Sequence, residues 1–133
     1  MAYWLMKSEP GTYSWADLLR DGGTEWDGVR NNAARLHLRA MQRGDEALFY
    51  HSGDERAVIG VMTITGAGKA DGEDGAWVKV PVEPVRALAP PVTLAAIKAE
   101  PRLAKMELIR QSRLSVSPVR DEEWAVVLEM AER

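Results

Sequence analysis

Two apolar stretches near the middle of the chain, ALFYHS (47–52) and AVIGVMTIT (57–65), are separated only by the polar loop GDER. Short runs rich in β-branched and aromatic residues form strands, and a brief glycine-containing connection between two of them is a hairpin signal. The hairpin is joined by other strands. YWLMK (3–7) is aromatic and apolar and ends at SEPG, and SVSPV (115–119) reads as a last strand. WVKVPVEPV (77–85) alternates as a strand should, and its two prolines mark it as an edge or bent strand. These strands lack the regular spacing of βαβ units, so the expected architecture is α+β: a small mixed β-barrel with short helices packed outside it.

The helices announce themselves through their caps. Ser14 is placed to cap WADLLR, which stops at Gly22-Gly23. Asn31 or Asn32 caps the next helix, running to about Met41, with Leu38 and Met41 inward and Arg35 and Arg39 stacked one turn apart. Gly44-Asp45 makes a turn, and GKADGEDG (68–75) a flexible one. Thr93 caps TLAAIKAE, Pro101 ends it, and LAKMELIRQ (103–111) forms another short helix. Asp121 is expected to cap a closing amphipathic helix with Trp124, Val127, Leu128 and Ala131 facing the core. Neither side of the 68–75 turn could build a core alone, so residues 1–133 are read as one domain.

Several functional classes find no support in the residues. The apolar fraction of 46% is globular, and no apolar run approaches the ~20 residues that span a bilayer. MAYWLMKSEP lacks the basic and apolar regions of a signal peptide, and the cytoplasm is the expected location. With no cysteine there is no disulfide, zinc-thiolate site or thiol nucleophile. The histidines are only His37 and His51, and no acidic cluster has the spacing of a metal loop, so neither metal nor cofactor is expected. No GxSxG elbow is present, and Gly66, Gly68, Gly72 and Gly75 do not make a phosphate loop. Nothing singles out a carboxylate pair for acid–base work. No catalytic residue is assigned, and the chain is expected not to be an enzyme.

Charge is unevenly spread. The net charge is −3, yet residues 26–43 carry a balance of +3 and residues 98–120 a balance of +4. Two basic segments on an acidic body can form a local electropositive face, which matters more to a polyanion than the total does; solvated helix faces are the plainer reading. The first basic segment opens with WDGVRNNAAR (26–35), where Trp26, Arg30, Asn31 and Asn32 are side chains suited to stacking on a flat ring and bonding its edge. Arg30 or Arg113 could take a phosphate. Polar residues also gather at strand ends, in Lys7-Ser8-Glu9, His51-Ser52 and the run from Gln111 to Ser115. A core anchor for Trp26 and a hydrogen-bonded structural role for His51 are the competing readings. Trp4, Trp15, Trp77 and Trp124 each lie in a regular apolar pattern and fit the core.

Taken as a set, WLMKSEPGTYS, WDGVRNNAARLHLRAMQRGD, ALFYHS, PVTLAAIK and SRLSVSPV with its following EW resemble the EVE domain family, in order, from about Tyr3 to Val127. That family is PUA-like and related to the YTH readers of methylated adenine in RNA. The resemblance implies a small β-barrel flanked by helices and a non-catalytic reader of a modified base, modified cytosine in DNA first and RNA as the alternative polymer. It implies no membrane partner and a monomer or weak dimer. Carried onto this chain, Lys7 and Ser8 would sit at a pocket rim and Trp26 would wall it, with Asp27, Val29, Arg30 and Asn31 completing that side. Asn32 stands where many members have an aromatic residue. His51, Ser52, Leu114 and Ser115 would form the opposite wall, and Arg30, Arg35, Arg39, Ser112 and Arg113 would hold flanking phosphates. Three alternatives stay open: an RNA-binding module without modification preference, a nucleoside-binding protein or hydrolase, and a methyl-lysine cage, for which the tryptophans look too committed to the core.

Overall fold

The computed structural model describes residues 1–72 and 75–131; Glu73 and Asp74, in the expected 68–75 turn, lie outside the described residues. In chain order the elements are β1 (Tyr3–Ser8), α1 (Trp15–Asp21), β2 (Thr24–Trp26), α2 (Asn32–Ala40), β3 (Glu46–His51), β4 (Ala57–Ile64), β5 (Lys69–Ala70), β6 (Val78–Thr93), α3 (Leu94–Ala99), a 3-10 turn (Pro101–Leu103), α4 (Glu107–Arg110), β7 (Val116–Val119) and α5 (Asp121–Ala131). The central hairpin forms where its sequence placed it, with β3 and β4 antiparallel and a register shift between Phe49 and Tyr50. β1 lies parallel to β3, Ser8 opposite His51, and β7 runs antiparallel along β1. β6 covers the other edge of β4, giving the order β2-β6-β4-β3-β1-β7, with β5 also on β6. The result is a curled mixed sheet flanked by short helices, the PUA-like α+β architecture.

Alternation along β1 shows how both faces are filled, since successive side chains point to opposite sides of a strand. Trp4 and Met6 join one buried cluster with Trp15 and Leu18 of α1, Leu38 of α2, Trp26 and Phe49. Leu5, between them, joins a second cluster with Ile97 of α3, Leu108 of α4, and Trp124 and Val127 of α5. Each such fully buried apolar side chain contributes roughly 1.5–3 kcal/mol, so the two clusters hold helices to both faces of one sheet.

The caps explain why the helices start where they do. Ser14 accepts from the Asp17 N–H while the Asp17 carboxylate accepts from the Ser14 N–H, a reciprocal capping box, and Gly22 closes α1 in the left-handed region at φ 73°. Asn31, not Asn32, caps α2, its Oδ1 accepting the Ala34 N–H at 2.9 Å. Thr93 caps α3 through Ala96.

Three expectations need correction, and the Gly44-Asp45 turn forms as expected with an added role. β6 extends over 16 residues and is not an edge strand, because β2 and β5 pair with its first half opposite β4. Its prolines are accommodated by bending: the β4 ladder shifts register between Val58 and Gly60 and again between Val61 and Met62, beside Pro84. Residues 103–111 do not form one helix; Pro101 starts a 3-10 turn, and the extended backbone of Met106 separates it from the single turn of α4. Asp121 does not cap α5. Arg120 occupies that position, its carbonyl accepting the Trp124 N–H while Glu123 accepts the Arg120 N–H. The Gly44-Asp45 turn does more than reverse the chain. The Asp45 carboxylate, 5% exposed, accepts from the Trp4 indole, the Gln42 N–H and the Ala2 N–H, fastening β1 to the start of β3.

Candidate functional site

The ends of β1 and β2 open into a cavity of about 510 Å³, lined chiefly by Lys7-Ser8-Glu9, Thr12-Tyr13, the run Thr24 to Arg30, and Ser115. β2 and the β1–β7 pair stand at opposite ends of the strand order, so a cavity lined from both lies where the curled sheet brings its two edges near each other. Trp26 is 8% exposed; its indole meets Phe49 edge-on, with ring centroids 5.4 Å apart, and still contributes to the cavity wall. Val29 packs against the same cluster. Asp27 is exposed, and Glu25 leaves one carboxylate oxygen buried without a hydrogen-bond partner. Ser8 donates to the Tyr13 carbonyl at 2.6 Å, bracing the loop that follows β1.

The 27–30 loop is tied from outside. Asp71 accepts both the Gly28 N–H at 2.9 Å and the Arg30 guanidinium at 3.0 Å, bonds that hold its carboxyl below the usual carboxylate range. Gly28 itself sits in the left-handed region at φ 75°, a conformation natural to glycine. Arg30 also lies 5.4 Å from the Trp77 ring, and Arg35 lies against the same ring while donating to the Ala76 carbonyl. The two arginines thus hold Asp71, Ala76 and Trp77 beside the cavity.

A second cavity of about 400 Å³ adjoins the first, and Lys7 and Ser115 line both. Its other walls include Tyr50, Ser52, Arg56, Lys98, Ser112 and Arg113. Lys7 donates to the Ser112 carbonyl at 2.7 Å and lies 5.8 Å from the Tyr50 ring centroid. Partial burial pulls its ammonium below the ordinary lysine range.

The residues singled out in the sequence divide accordingly. The first cavity gathers Lys7, Ser8, Trp26, Asp27, Val29, Arg30 and Ser115, and the second gathers Ser52, Ser112 and Arg113. The others line neither. Asn31 spends its side chain on the α2 cap, Asn32 is exposed at the head of that helix, and Arg39 is exposed farther along it. His51 is 7% exposed, with Nε2 accepting the Trp15 N–H at 3.0 Å and Nδ1 facing Glu55. Leu114 is buried in the first core cluster. Glu9, noted in the sequence among the strand-end polar residues, lines the first cavity; unforeseen were Thr12, Tyr13, Thr24 and Glu25 there, and Arg56 and Lys98 at the second. The hairpin loop carrying Arg56 was a recognisable signal, because it directly follows the strand end at His51-Ser52. Among the described residues no group of three or more His, Asp or Glu side chains is arranged to hold a metal ion, and no helix is long and apolar enough to cross a membrane.

Comparisons with known proteins place this arrangement among relatives. The EVE domain family model matches residues 2–130. Human thymocyte nuclear protein 1 is 33% identical over an alignment of 168 residues that takes in 99% of this chain and 75% of the human protein. Among solved structures, a protein of Rhodopseudomonas palustris superposes with a TM-score of 0.95 at 46% identity, covering 99% of this chain and 94% of that one. Human THYN1 protein, solved in complex with 5-methylcytosine-containing DNA, superposes with a TM-score of 0.93 at 34% identity, covering 100% and 99% of the two chains.

Proposed function

The chain belongs to the EVE domain family, and from that premise we propose that it is a non-catalytic reader that takes a modified cytosine of DNA into the first cavity. The observation that carries the reading is the make-up of that cavity, which is lined by apolar Trp26 and Val29 together with the acceptor Asp27 and the cation Lys7. Its volume, about 510 Å³, lies within the roughly 300–1,000 Å³ typical of small-ligand sites. Human THYN1 protein, with 5-methylcytosine-containing DNA bound, supplies the choice of base.

The chemistry follows from the base. Cytosine presents an exocyclic amino group that a carboxylate accepts from, which suits Asp27. A 5-methyl group adds apolar surface on the adjoining edge, where Trp26 and Val29 replace water. Burying one such group is worth roughly 0.8–3 kcal/mol, so methyl discrimination should fall between roughly 4- and 150-fold. Extruding the base from a duplex costs a few kcal/mol, to be offset by contacts inside the cavity and along the backbone. Trp26, mostly buried, serves here as a fixed back wall more than as a free-standing stacking platform. Asp71, Arg30 and Arg35 hold the opposite lip in place before any ligand arrives, which lowers the ordering cost of binding.

The test is localisation. Titrating ¹⁵N-labelled protein with a short duplex bearing one 5-methylcytosine should shift the amide signals of residues 7–9, 26–30 and 115. Shifts confined to the α3–α5 face of the sheet, or none at saturating duplex, would contradict the assignment.

A further inference from the structure

We propose that the second cavity is a phosphate site, in which Lys7, Arg56, Lys98 and Arg113 grip the phosphate of the nucleotide whose base enters the first cavity. The identity of the nucleotide rests on the function proposed above; the anion site itself rests on charge and geometry. Four cations line this cavity and no carboxylate does, in a chain of net charge −3. Elsewhere Arg20, Arg30, Arg102, Arg110 and Arg120 are each matched to an acid. Among the described residues none of the four lining cations forms a salt bridge, and a cavity carrying four like charges favours an anion. Glu9, which lines the first cavity, brings its carboxylate 3.6 Å from where a Cβ on Gly53 would stand, and Asp54 and Glu55 precede Arg56 in the loop without lining the second cavity.

Two features show that the cations are positioned. Lys7 is fixed by the Ser112 carbonyl at 2.7 Å. Arg56 holds a left-handed backbone at φ 45°, the only positive φ outside glycine among the described residues, and its carbonyl accepts the Leu94 N–H at 2.8 Å. That bond ties the β3–β4 loop to the start of α3, so Arg56 is presented from an anchored loop. An uncommon conformation kept in place by its surroundings, at the mouth of a cavity, is the pattern expected of a ligand contact. Guanidinium groups and the hydroxyls of Ser52 and Ser112 suit the non-bridging oxygens of a phosphate. The shared wall of Lys7 and Ser115 sets the ligand class. A molecule straddling it needs an uncharged ring on one side and an anion on the other, as a nucleotide has; an acidic peptide has no group for the first chamber.

Inorganic phosphate tests the site without any base. Added against chloride at equal ionic strength, it should shift amides of residues 52–56 and 112–113 in the wild type. In Lys98→Gln/Arg113→Gln, whose remaining spectrum reports the fold, those shifts should vanish. With oligonucleotide, the same pair should lower the slope of log affinity against log salt by roughly 1–2. Arg43→Gln/Arg86→Gln, which removes equal charge from outside both cavities, should leave that slope unchanged. Competition by 5-methyldeoxycytidine monophosphate as strong as by the oligonucleotide would identify a free nucleotide's phosphate, whereas competition by the oligonucleotide alone identifies the phosphodiester chain. Absence of the phosphate shifts, or equal slopes in the two double variants, overturns the proposal. Equal binding of methylated and unmethylated oligonucleotide would overturn the base reading and leave the phosphate site standing.

Discussion

At the scale of single residues, Asp45 and Trp26 show how function here is built on groups that also hold the fold. Desolvation would raise the Asp45 carboxyl, but hydrogen bonds from the Gln42 N–H, the Trp4 indole and the Ala2 N–H, with the charge of the N-terminus, outweigh it and hold it low. A depressed carboxyl stabilises the fold above the ordinary aspartate value near ~3.9, and that contribution fades as pH falls through the lowered one. Asp45→Asn sets an amide against the indole donor and should cost roughly 2–3 kcal/mol at neutral pH. Urea denaturation checks this: the wild-type advantage should be full at pH 7 and should shrink as pH falls below the ordinary aspartate value and through the lowered one. An advantage independent of pH would show that the carboxylate's charge is not the source. Trp26 poses the complementary case. Packed edge-on to Phe49 and 8% exposed, it is both core and cavity wall, and this duality could not be read from WDGVRN, where anchor and stacking surface present the same letter.

At the scale of elements, what was legible and what was not follow a physical division. The hairpin, the caps at Ser14, Asn31 and Thr93, and the inward faces of Leu38 and Trp124 depend on neighbours within a few residues, and the sequence carries them openly. β2 has three residues, Thr24–Trp26, whose strand character comes wholly from pairing with Val80–Val82 far along the chain. β6 runs on through Pro84, Pro90 and Pro91 because register shifts in β4 absorb the lost donors. Parallel pairing of β1 with β3, which sets Ser8 opposite His51, is equally invisible to local periodicity. The cavity walls inherit that division: Lys7 and Ser8 were legible as strand-end polarity and the 26–30 run as side chains suited to a flat ring, whereas Thr12, Glu25, Arg56 and Lys98 arrive through tertiary pairing. The Asp71 clamp is another such long-range device, and it has a measurable consequence. Asp71→Ala removes the acceptor of the Gly28 N–H and the partner of Arg30, so hydrogen exchange at Gly28 should quicken by roughly tenfold, as expected for loss of about 1.4 kcal/mol of local protection. The wild type should show the same loosening only as pH falls below the ordinary aspartate range and through the lowered value of Asp71. Unchanged protection, after correction for the intrinsic pH dependence of exchange, would mean that the loop is held by its own backbone.

At the scale of the whole molecule, one curled sheet covered on both faces leaves the proposed site between its two edges, where β2 faces β1 and the approach to β7. Two core clusters of buried side chains, one on each face of the sheet, pack behind the cavities. Such a molecule pays little to order its site, so affinity should follow complementarity between cavity and base more than induced rearrangement. The most direct measurement is a pair of equilibrium titrations, at one fixed salt concentration, with two duplexes that differ in a single cytosine 5-methyl group. The account expects the methylated duplex to bind roughly 4- to 150-fold more tightly; equal affinities would contradict it.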